Sequence, residues 1–429
     1  GERQPYLVGT RRGYGESSGY DCASGTFFPC VECGCLYFNE QTGVFRACSQ
    51  QCDEKKMIEE IENLKDIDGL IRQKQAFAVY RLPGEQVAHL VTQGRGEVCL
   101  LDNLEGLNGR KGFVIAPFRV SERCPVVLLC PGEEERLLEV DRDSVEEWAA
   151  VQRSQGKETL QEVCTDAYAA CFRTFIEALQ EKQFDKLVLS RRQVVGREAD
   201  FSPLRVFAEA CKRYIHSYVY LCYTPHTGMW LGSTPEIILA GQGQQWHTVA
   251  LAGTQPLQEG RLPVAWDEKN REEQAYVASY IRSRLHSLGL QTTENGPYAA
   301  YAGALSHLKT DFWFSLADKG SLGSLLKLLH PTPAVCGLPK EEAYRFIVEK
   351  EGYDRSYYAG FVGWMNPADR TDLYVNLRCM QMGDRELSFY AGGGLLASSC
   401  LHDEWMETEK KLQTMKRLAL PVPALSAHD

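Results

Sequence analysis

The sequence has no apolar run near the roughly 18 residues that a membrane-spanning helix needs. It also lacks an excess of positive charge, because 47 Lys and Arg residues stand against 57 Asp and Glu residues and leave a net charge of −10. This balance argues against broad electrostatic binding to nucleic acid or to an anionic membrane, while leaving room for a local basic site. We therefore expect a soluble globular protein with no nucleic-acid partner and no membrane partner, existing as a monomer or weak homo-oligomer.

Two further signals are missing from the sequence. Residues 1–10 contain no apolar segment of the kind found in signal peptides, and no Walker A or G-x-G-x-x-G loop is present. Of the 16 cysteines, those beyond residue 53 lie singly in apolar surroundings, as Cys222 does. This usage predicts free thiols in a reducing cytoplasm.

The other cysteines are concentrated near the start of the chain, at Cys22, Cys30, Cys33, Cys35, Cys48 and Cys52. The pairs Cys30/Cys33 and Cys48/Cys52 have roughly the spacing of the ligands in a small zinc ribbon. The alternative is that residues 1–56 form a Cys-rich extension that is disordered or has little tertiary role. A helical pattern opens at Met57, so we expect one globular domain over residues 57–429.

The pattern of apolar residues predicts short strands interrupted by helices, and it favours antiparallel sheets. Helices are predicted around residues 168–179, 266–288 and 403–418. Strands are predicted at residues 186–190, 217–223, 228–239, 246–252, 373–382 and 386–391. The pair Gly383-Asp384 is a hairpin signal between the last two strands, and strands joined through turns favour antiparallel pairing.

The last predicted helix carries a polar row. Glu404, Glu407 and Lys411 are three and four residues apart, so they project together from one face of the helix. An ordinary solvated salt-bridge face would have the same spacing. The preceding predicted strand ends in the glycines 392–394, which indicate either a tight bend or bare backbone that a ligand could approach.

Three more charged residues occupy positions where a neutral side chain is expected. Glu273 is in phase with the apolar stripe of its helix, so it needs a partner, either a buried Arg or a hard cation such as Mg²⁺. Lys186 shares a strand face with Val188, and Glu236 begins an apolar run. In one cleft, Lys186 and Glu236 could act as base and acid, because burial favours the neutral forms of both.

Several of these residues lie within a series of short motifs. The motifs are FDKLVLSR at 184–191, LGSTPE at 231–236, LAGT at 251–254, HLKT at 307–310, LHPTPAVCGLP at 329–339, YAGFVGW at 358–364, NLRC at 376–379 and EWMET at 404–408. In this order they closely resemble the motifs of chorismate-utilising enzymes, and of isochorismate synthases in particular. The resemblance covers about residues 57–429, is strongest after Leu160 and excludes residues 1–56.

Two positions separate the branches of this family. Anthranilate synthases carry Gln where Lys186 stands, and aminodeoxychorismate synthases carry a nucleophilic Lys where Ala252 stands. Having neither feature, the chain resembles the branch that adds water, which contains isochorismate and salicylate synthases. The stretch 330–339 is more similar to the former and leans slightly toward menaquinone-type enzymes, leaving menaquinone and siderophore biosynthesis both open.

The resemblance implies a role for each matching residue. Lys186 is implied to be the base that activates water, and Glu236 the acid that protonates the leaving hydroxyl. Glu273 and Glu407, with Glu404 nearby, are implied to hold Mg²⁺. The implied substrate-binding residues are Gly253, Thr254, His307, Ala334, Arg378, Gly392 and Lys411.

The resemblance therefore implies a cytoplasmic, Mg²⁺-dependent isomerase that converts chorismate to isochorismate. Its implied fold is α+β, with large antiparallel sheets layered face to face and helices packed outside. A salicylate synthase, which also eliminates pyruvate, is the close alternative. A zinc-ribbon binding module on a non-catalytic scaffold and a Mg²⁺ hydrolase are more distant alternatives, the latter without a phosphate-binding loop.

Overall fold

The computed structural model describes residues 66–132, 136–139, 160–161, 163–302 and 305–420, together with four short strands nearer the start of the chain. The chain divides into two units, Gly1–Met57 and Ile58–Asp429. In the first unit, β1 (Thr26–Phe28), β2 (Leu36–Asn39) and β3 (Val44–Ala47) form an antiparallel sheet. The six clustered cysteines, including the four predicted to form a zinc ribbon, lie outside the described residues, so that prediction stays open.

The described part of the second unit contains seven α-helices and a short 3₁₀ helix at Leu104–Leu107. The three helices predicted from apolar periodicity are among them, and none of the described helices has the length and apolarity needed to cross a membrane. The α-helices are α1 (Asp66–Arg72), α2 (Asp166–Gln180), α3 (Pro203–Arg213), α4 (Glu268–Ser287), α5 (Leu322–Leu329), α6 (Lys340–Lys350) and α7 (Leu401–Ala419).

Two large sheets form the body of this unit. In hydrogen-bonded order, the first sheet contains β18 (Gly337–Leu338), β11 (Lys186–Gly196), β22 (Glu386–Leu395), β21 (Cys379–Met382), β13 (Gly228–Thr234), β12 (Tyr218–Thr224), β5 (Phe77–Arg81), β6 (Val87–Thr92), β10 (Arg136–Glu139) and β4 (Glu62–Asn63). Its described strand pairs are antiparallel, except that β10 and β4 run parallel.

The second sheet is antiparallel throughout its described pairs. Its order is β16 (Thr292–Ala302), β17 (Leu305–Ser315), β15 (Gln245–Pro256), β14 (Ile237–Gln242), β20 (Arg370–Val375), β19 (Phe361–Met365), β8 (Gly112–Ala116), β9 (Val126–Leu129) and β7 (Cys99–Leu101).

The two sheets pack face to face through a shared aromatic core. Tyr218 of β12 stacks on Tyr374 of β20 with ring centroids 4.3 Å apart, and Tyr80 of β5 lies 5.7 Å from Phe113 of β8. A second apolar cluster joins α1, α3 and α7 to the first sheet, and α4 packs on β15 and β17. The predicted α+β architecture of layered antiparallel sheets is confirmed.

Two predicted strands are wrong in their extent, because each changes sheet partway. Residues 228–239 form β13 in the first sheet and β14 in the second, with Pro235 and Glu236 between them. Residues 373–382 likewise divide between β20 and β21. The proline cannot donate a ladder hydrogen bond, which is a physical reason for the first break.

The glycines 392–394 do not end their strand. β22 continues through them to Leu395, and each of the three pairs with a residue of β11. The expected bend is therefore absent there, and the bare backbone that was the alternative lies beside the N-terminal part of β11. This arrangement brings β22 against the strand that carries Lys186.

Candidate active site

A cavity lies where several elements of the two sheets meet, and it encloses about 590 Å³ of atom-free space, part of which is open to solvent. Nine of the twelve predicted site residues line it, namely Glu236, Gly253, Thr254, Glu273, His307, Ala334, Arg378, Gly392 and Lys411. The other three lie next to this lining: Lys186 pairs with Glu273, Glu407 pairs with Lys411, and Glu404 approaches Gly393. The structure therefore brings all twelve predicted residues together.

Lys186 and Glu273 form a buried ion pair at one side of this cavity. Lys186, at the start of β11, has no exposed surface, and its Nζ lies 3.0 Å from Glu273 Oε1 on α4. A Cβ on Gly394 would lie 2.1 Å from that same oxygen and 2.9 Å from Lys186 Cε. The bare backbone of β22 is thus required here, and the partner of Glu273 is a lysine instead of the expected arginine or cation.

Glu236 lies at the point where the chain passes from β13 to β14. It is buried, and Thr332 Oγ1 donates to its Oε1 over 3.4 Å. Burial raises the pKa of Glu236 to about 8, although the nearby charge of Lys186 opposes the rise. The carboxyl is therefore mainly protonated at neutral pH, which is the form that an acid catalyst needs. The expected upward shift of its pKa is confirmed.

Arg378 and His307 form a second polar contact in the cavity. Arg378 Nη2 donates to His307 Nε2 over 2.6 Å, so the assigned tautomer of His307 has its proton on Nδ1, which donates to the Gly253 carbonyl over 2.7 Å. Burial, reinforced by Arg378, lowers the pKa of His307 well below its ordinary value. The ring stays neutral and helps to orient the guanidinium.

Arg378 also has unused hydrogen-bonding capacity. Its Nε is buried and has no hydrogen-bond partner among the described residues. Its backbone adopts φ of +46°, in the left-handed region that non-glycine residues rarely occupy. A buried guanidinium that faces a cavity with a donor to spare suits an anionic ligand.

The polar row on α7 faces this site. Lys411 Nζ donates to Glu407 Oε1 over 2.5 Å and to the Gly392 carbonyl over 2.8 Å. Burial would raise the pKa of Glu407, but Lys411 and Lys269 outweigh it and bring the value to about 2. Glu407 is therefore ionised. Glu404 and Lys411 are buried and Glu407 is half-buried, so the row does not form a solvated salt-bridge face.

Lys269 is a charged residue of the site that the sequence reasoning missed. Its Nζ donates to Glu404 Oε1 over 2.6 Å. Burial and the charge of Glu407 raise the pKa of Glu404 to about 7, although Lys269 opposes the rise. Lys269 precedes Glu273 by four residues on α4, and this spacing was the available signal that the two share a helix face.

The carboxylates of Glu273, Glu404 and Glu407 lie against neighbouring glycines of β22. A Cβ on Gly393 would lie 3.2 Å from Glu404 Oε2 and 3.4 Å from Glu407 Oε1. Among the described residues no group of three or more His, Cys, Asp or Glu side chains has the arrangement of a complete metal site. The oxygen donors and the side-chain-free cradle nevertheless fit a hard cation that takes further oxygens from substrate or water.

The remaining predicted residues have more limited capacity. The backbone N–H of Thr254 already donates to Asn270 Oδ1 over 2.7 Å, and its hydroxyl lies 3.2 Å from His307 Nδ1. Gly253 has φ of +77° and approaches the backbone of Asn270 closely. Sequence reasoning missed Asn270 and Thr332, because both act through contacts that form only on folding.

Comparison with known proteins agrees with this geometry. Residues 126–419 match the family described as chorismate binding enzyme. The chain belongs to this family. Since the match spans most of the second unit and every residue of the cavity, the resemblance inferred from the motifs is confirmed at the level of the family.

Relatives within this chorismate-binding family include isochorismate synthases. The chain is 29% identical to isochorismate synthase EntC of Escherichia coli (strain K12) over 241 residues, which are 54% of this chain and 62% of EntC. It is 34% identical to the chloroplastic isochorismate synthase of Catharanthus roseus over 251 residues, which are 56% of this chain and 43% of that protein. The chain thus spans less than two thirds of the length of these relatives.

A solved structure supports the fold. The crystal structure of a putative 2,3-dihydroxybenzoate-specific isochorismate synthase, DhbC from Bacillus anthracis, superimposes with a TM-score of 0.65. The two chains are 23% identical, and the superposition covers 85% of this chain and 98% of that chain. At this identity the likeness establishes the fold of the chorismate-binding family.

Proposed function

We propose that this protein is a Mg²⁺-dependent isochorismate synthase, which converts chorismate to isochorismate. The observation that carries the proposal is the placement of Lys186 and a protonated Glu236 around one buried cavity whose wall includes Ala252. A lysine in place of the anthranilate synthases' glutamine, and an alanine in place of the aminodeoxychorismate synthases' nucleophile, both favour water as the attacking group.

In this proposal Lys186 is the base. The step requires the amine in its neutral form, which takes a proton from a water molecule as the water oxygen forms a bond to C2 of the chorismate ring. Burial on β11 fixes the position of the amine, because the side chain is held between Glu273 and the backbone of Gly394.

Glu236 is the acid. As the bond between C4 and its hydroxyl breaks, Glu236 donates a proton and the hydroxyl leaves as water. One water enters and one departs, so the overall change is an isomerisation. A carboxyl with a pKa of about 8 holds its proton at neutral pH, whereas an exposed glutamate would have lost it.

The cationic side chains of the cavity suit a substrate with two carboxylates. Arg378, oriented by His307, offers a free guanidinium donor, and Lys411 adds a positive charge next to Gly392. Glu273 and Glu407, with Glu404 nearby, would hold Mg²⁺, which would supply positive charge to a substrate carboxylate.

Product identification tests the proposal. The purified protein is incubated with chorismate and Mg²⁺, with and without EDTA, and the products are separated by chromatography. We expect isochorismate with Mg²⁺ and none with EDTA. Lys186→Ala should lower turnover by about 10²- to 10⁴-fold, since it removes the base, whereas Lys350→Ala, at an exposed lysine of α6, should not change it.

Two outcomes would contradict the proposal. If chorismate stays unchanged in the presence of Mg²⁺, the protein lacks the proposed activity. If Lys186→Ala keeps near-native turnover, Lys186 is not the base and the proposed mechanism is wrong. Salicylate and pyruvate formed without an added lyase would favour the salicylate synthase alternative instead.

A further inference from the structure

A buried polar network next to the cavity has no part in the chemistry proposed above. Its centre is the ion pair between Glu351 and Arg355, in the segment after α6, and both side chains are almost fully buried. Arg355 Nε donates to Glu351 Oε2 over 2.6 Å, and Arg355 Nη2 donates to Glu351 Oε1 over 2.7 Å. Burying such a pair requires compensating hydrogen bonds, and these lead toward the site.

One set of these bonds reaches β11, the strand of Lys186. β11 pairs with the two-residue strand β18 only at Lys186 and Leu187. Just beyond that pairing, Arg355 Nη2 donates to the Val188 carbonyl over 2.9 Å, and the Ser190 amide donates to Glu351 Oε1 over 2.7 Å. The two side chains therefore replace a neighbouring strand along the edge of β11 that follows Lys186.

The other bond reaches the segment that supports Glu236. Arg355 Nη1 donates to the Val335 carbonyl over 2.7 Å. Val335 lines the cavity and follows Thr332, whose hydroxyl donates to Glu236. One guanidinium thus bonds both the backbone that follows Lys186 and the loop that contacts Glu236.

We propose that the Glu351–Arg355 pair positions the two catalytic groups, by holding together the edge of β11 and the loop at residues 332–336, whose backbones also meet directly where the Val188 amide donates to the Cys336 carbonyl over 2.7 Å. Arg355 and Glu351 touch neither substrate nor reacting atoms and are positioning residues. The role in turnover rests on the proposed function, whereas the effect on the two backbone segments does not.

The test compares Arg355→Lys with the wild-type protein. An ammonium group lacks the planar fork that reaches Glu351, Val188 and Val335 together. We expect kcat to fall about 10- to 100-fold, as a misplacement near 1 Å can cause, while KM for chorismate changes less than about threefold. In amide hydrogen exchange, residues 186–190 and 332–336 should exchange faster, with the protection of β12 and β13 unchanged.

Two further variants complete the experiment. Arg345→Lys changes an exposed arginine of α6 in the same way and should match the wild type. Ser190→Ala removes only the hydroxyl that bonds Glu351 and Tyr353, and it should raise exchange at residues 186–190. This variant tests the positioning role if Arg355→Lys does not fold.

The outcomes separate the two proposals. Wild-type exchange at both segments, or faster exchange spread evenly over the first sheet, would overturn the positioning role. A normal kcat in Arg355→Lys would overturn its link to catalysis. If the wild-type protein does not convert chorismate, the proposed function fails, and hydrogen exchange alone decides whether the pair fixes the two segments.

Discussion

Glu236 is the residue whose ionisation should govern the activity at high pH. Burial raises its pKa to about 8, and an acid catalyst must carry its proton. With respect to this group, we therefore expect kcat/KM to change little below about pH 7, to reach about half its plateau near pH 8 and to fall further above it. Measurement of initial rates from pH 7 to 9.5 checks this.

The matched variant is Glu236→Gln, which retains the size of the side chain. It should lower kcat by about 10²- to 10⁴-fold and abolish the fall through pH 8. If the variant keeps the same fall as the wild type, the titrating group is not Glu236.

The same pKa makes a second, independent readout available. The folded-state pKa of Glu236 lies above the ordinary value of 4.5, so between these two pH values the unfolded chain binds fewer protons than the folded chain. The contribution of this group to stability is therefore lost as the pH rises, by up to about 1.4 kcal/mol per pH unit. The difference in Tm between Glu236→Gln and the wild type should therefore change in favour of the variant as the pH rises from 5 to 8.

At the scale of secondary structure, two changes of sheet create the site. The chain leaves β13 at Thr234 and enters β14 at Ile237, which places Glu236 in the gap, and it leaves β20 at Val375 and enters β21 at Cys379, which places Arg378 in the second gap. Irregular backbone between strands positions both side chains toward the cavity, where a regular strand would direct alternate residues to opposite faces.

These breaks show where sequence reasoning reaches its limit. The three longest described helices, α2, α4 and α7, were predictable from helical periodicity, whereas the four shorter ones were not predicted. The row of Glu404, Glu407 and Lys411 follows from helical spacing alone. The apolar runs on either side of Pro235 read as one strand, since period-two alternation carries no information about which sheet a strand joins. The pairing of Lys269 with Glu404 joins two helices far apart in sequence, and spacing does not predict it.

The register between β11 and β22 leads to a prediction about Gly394. A methyl group there would overlap Glu273 Oε1 and crowd Lys186 Cε, so Gly394→Ala must displace the ion pair. We expect turnover to fall at least about 10²-fold, as displaced catalytic groups do, and stability to fall by about 1–3 kcal/mol through overpacking. Steady-state kinetics and thermal unfolding measure the two effects.

Gly393→Ala is the comparison on the same strand. Its methyl group would meet Glu404 and Glu407 at 3.2 and 3.4 Å, contacts that small movements of the two carboxylates can relieve. Its effect on turnover should be smaller than that of Gly394→Ala. Equal losses would mean that any added methyl group in β22 is harmful and that the close approach to Glu273 has no special part.

At the scale of the whole molecule, the site draws on elements distant in sequence. Lys186 on β11, Glu273 on α4 and Glu407 on α7 span more than half of the chain, and the fold of the chorismate-binding family brings them together. From the sequence alone, the resemblance of the motifs was needed to assign these three residues to one site. Lys186 and Glu273 are single charges in apolar patterns and Glu407 belongs to a polar row, and these separate features did not by themselves indicate one site.

All twelve predicted site residues belong to the unit Ile58–Asp429. We therefore predict that a chain without residues 1–57 keeps kcat and KM for chorismate within about twofold of the full chain, because no group that binds or reacts is removed. Zinc content of the two proteins, measured by atomic emission, tests the zinc-ribbon prediction at the same time. A loss of turnover greater than about tenfold, in a truncated protein whose Tm matches that of the full chain, would instead give residues 1–57 a part in catalysis.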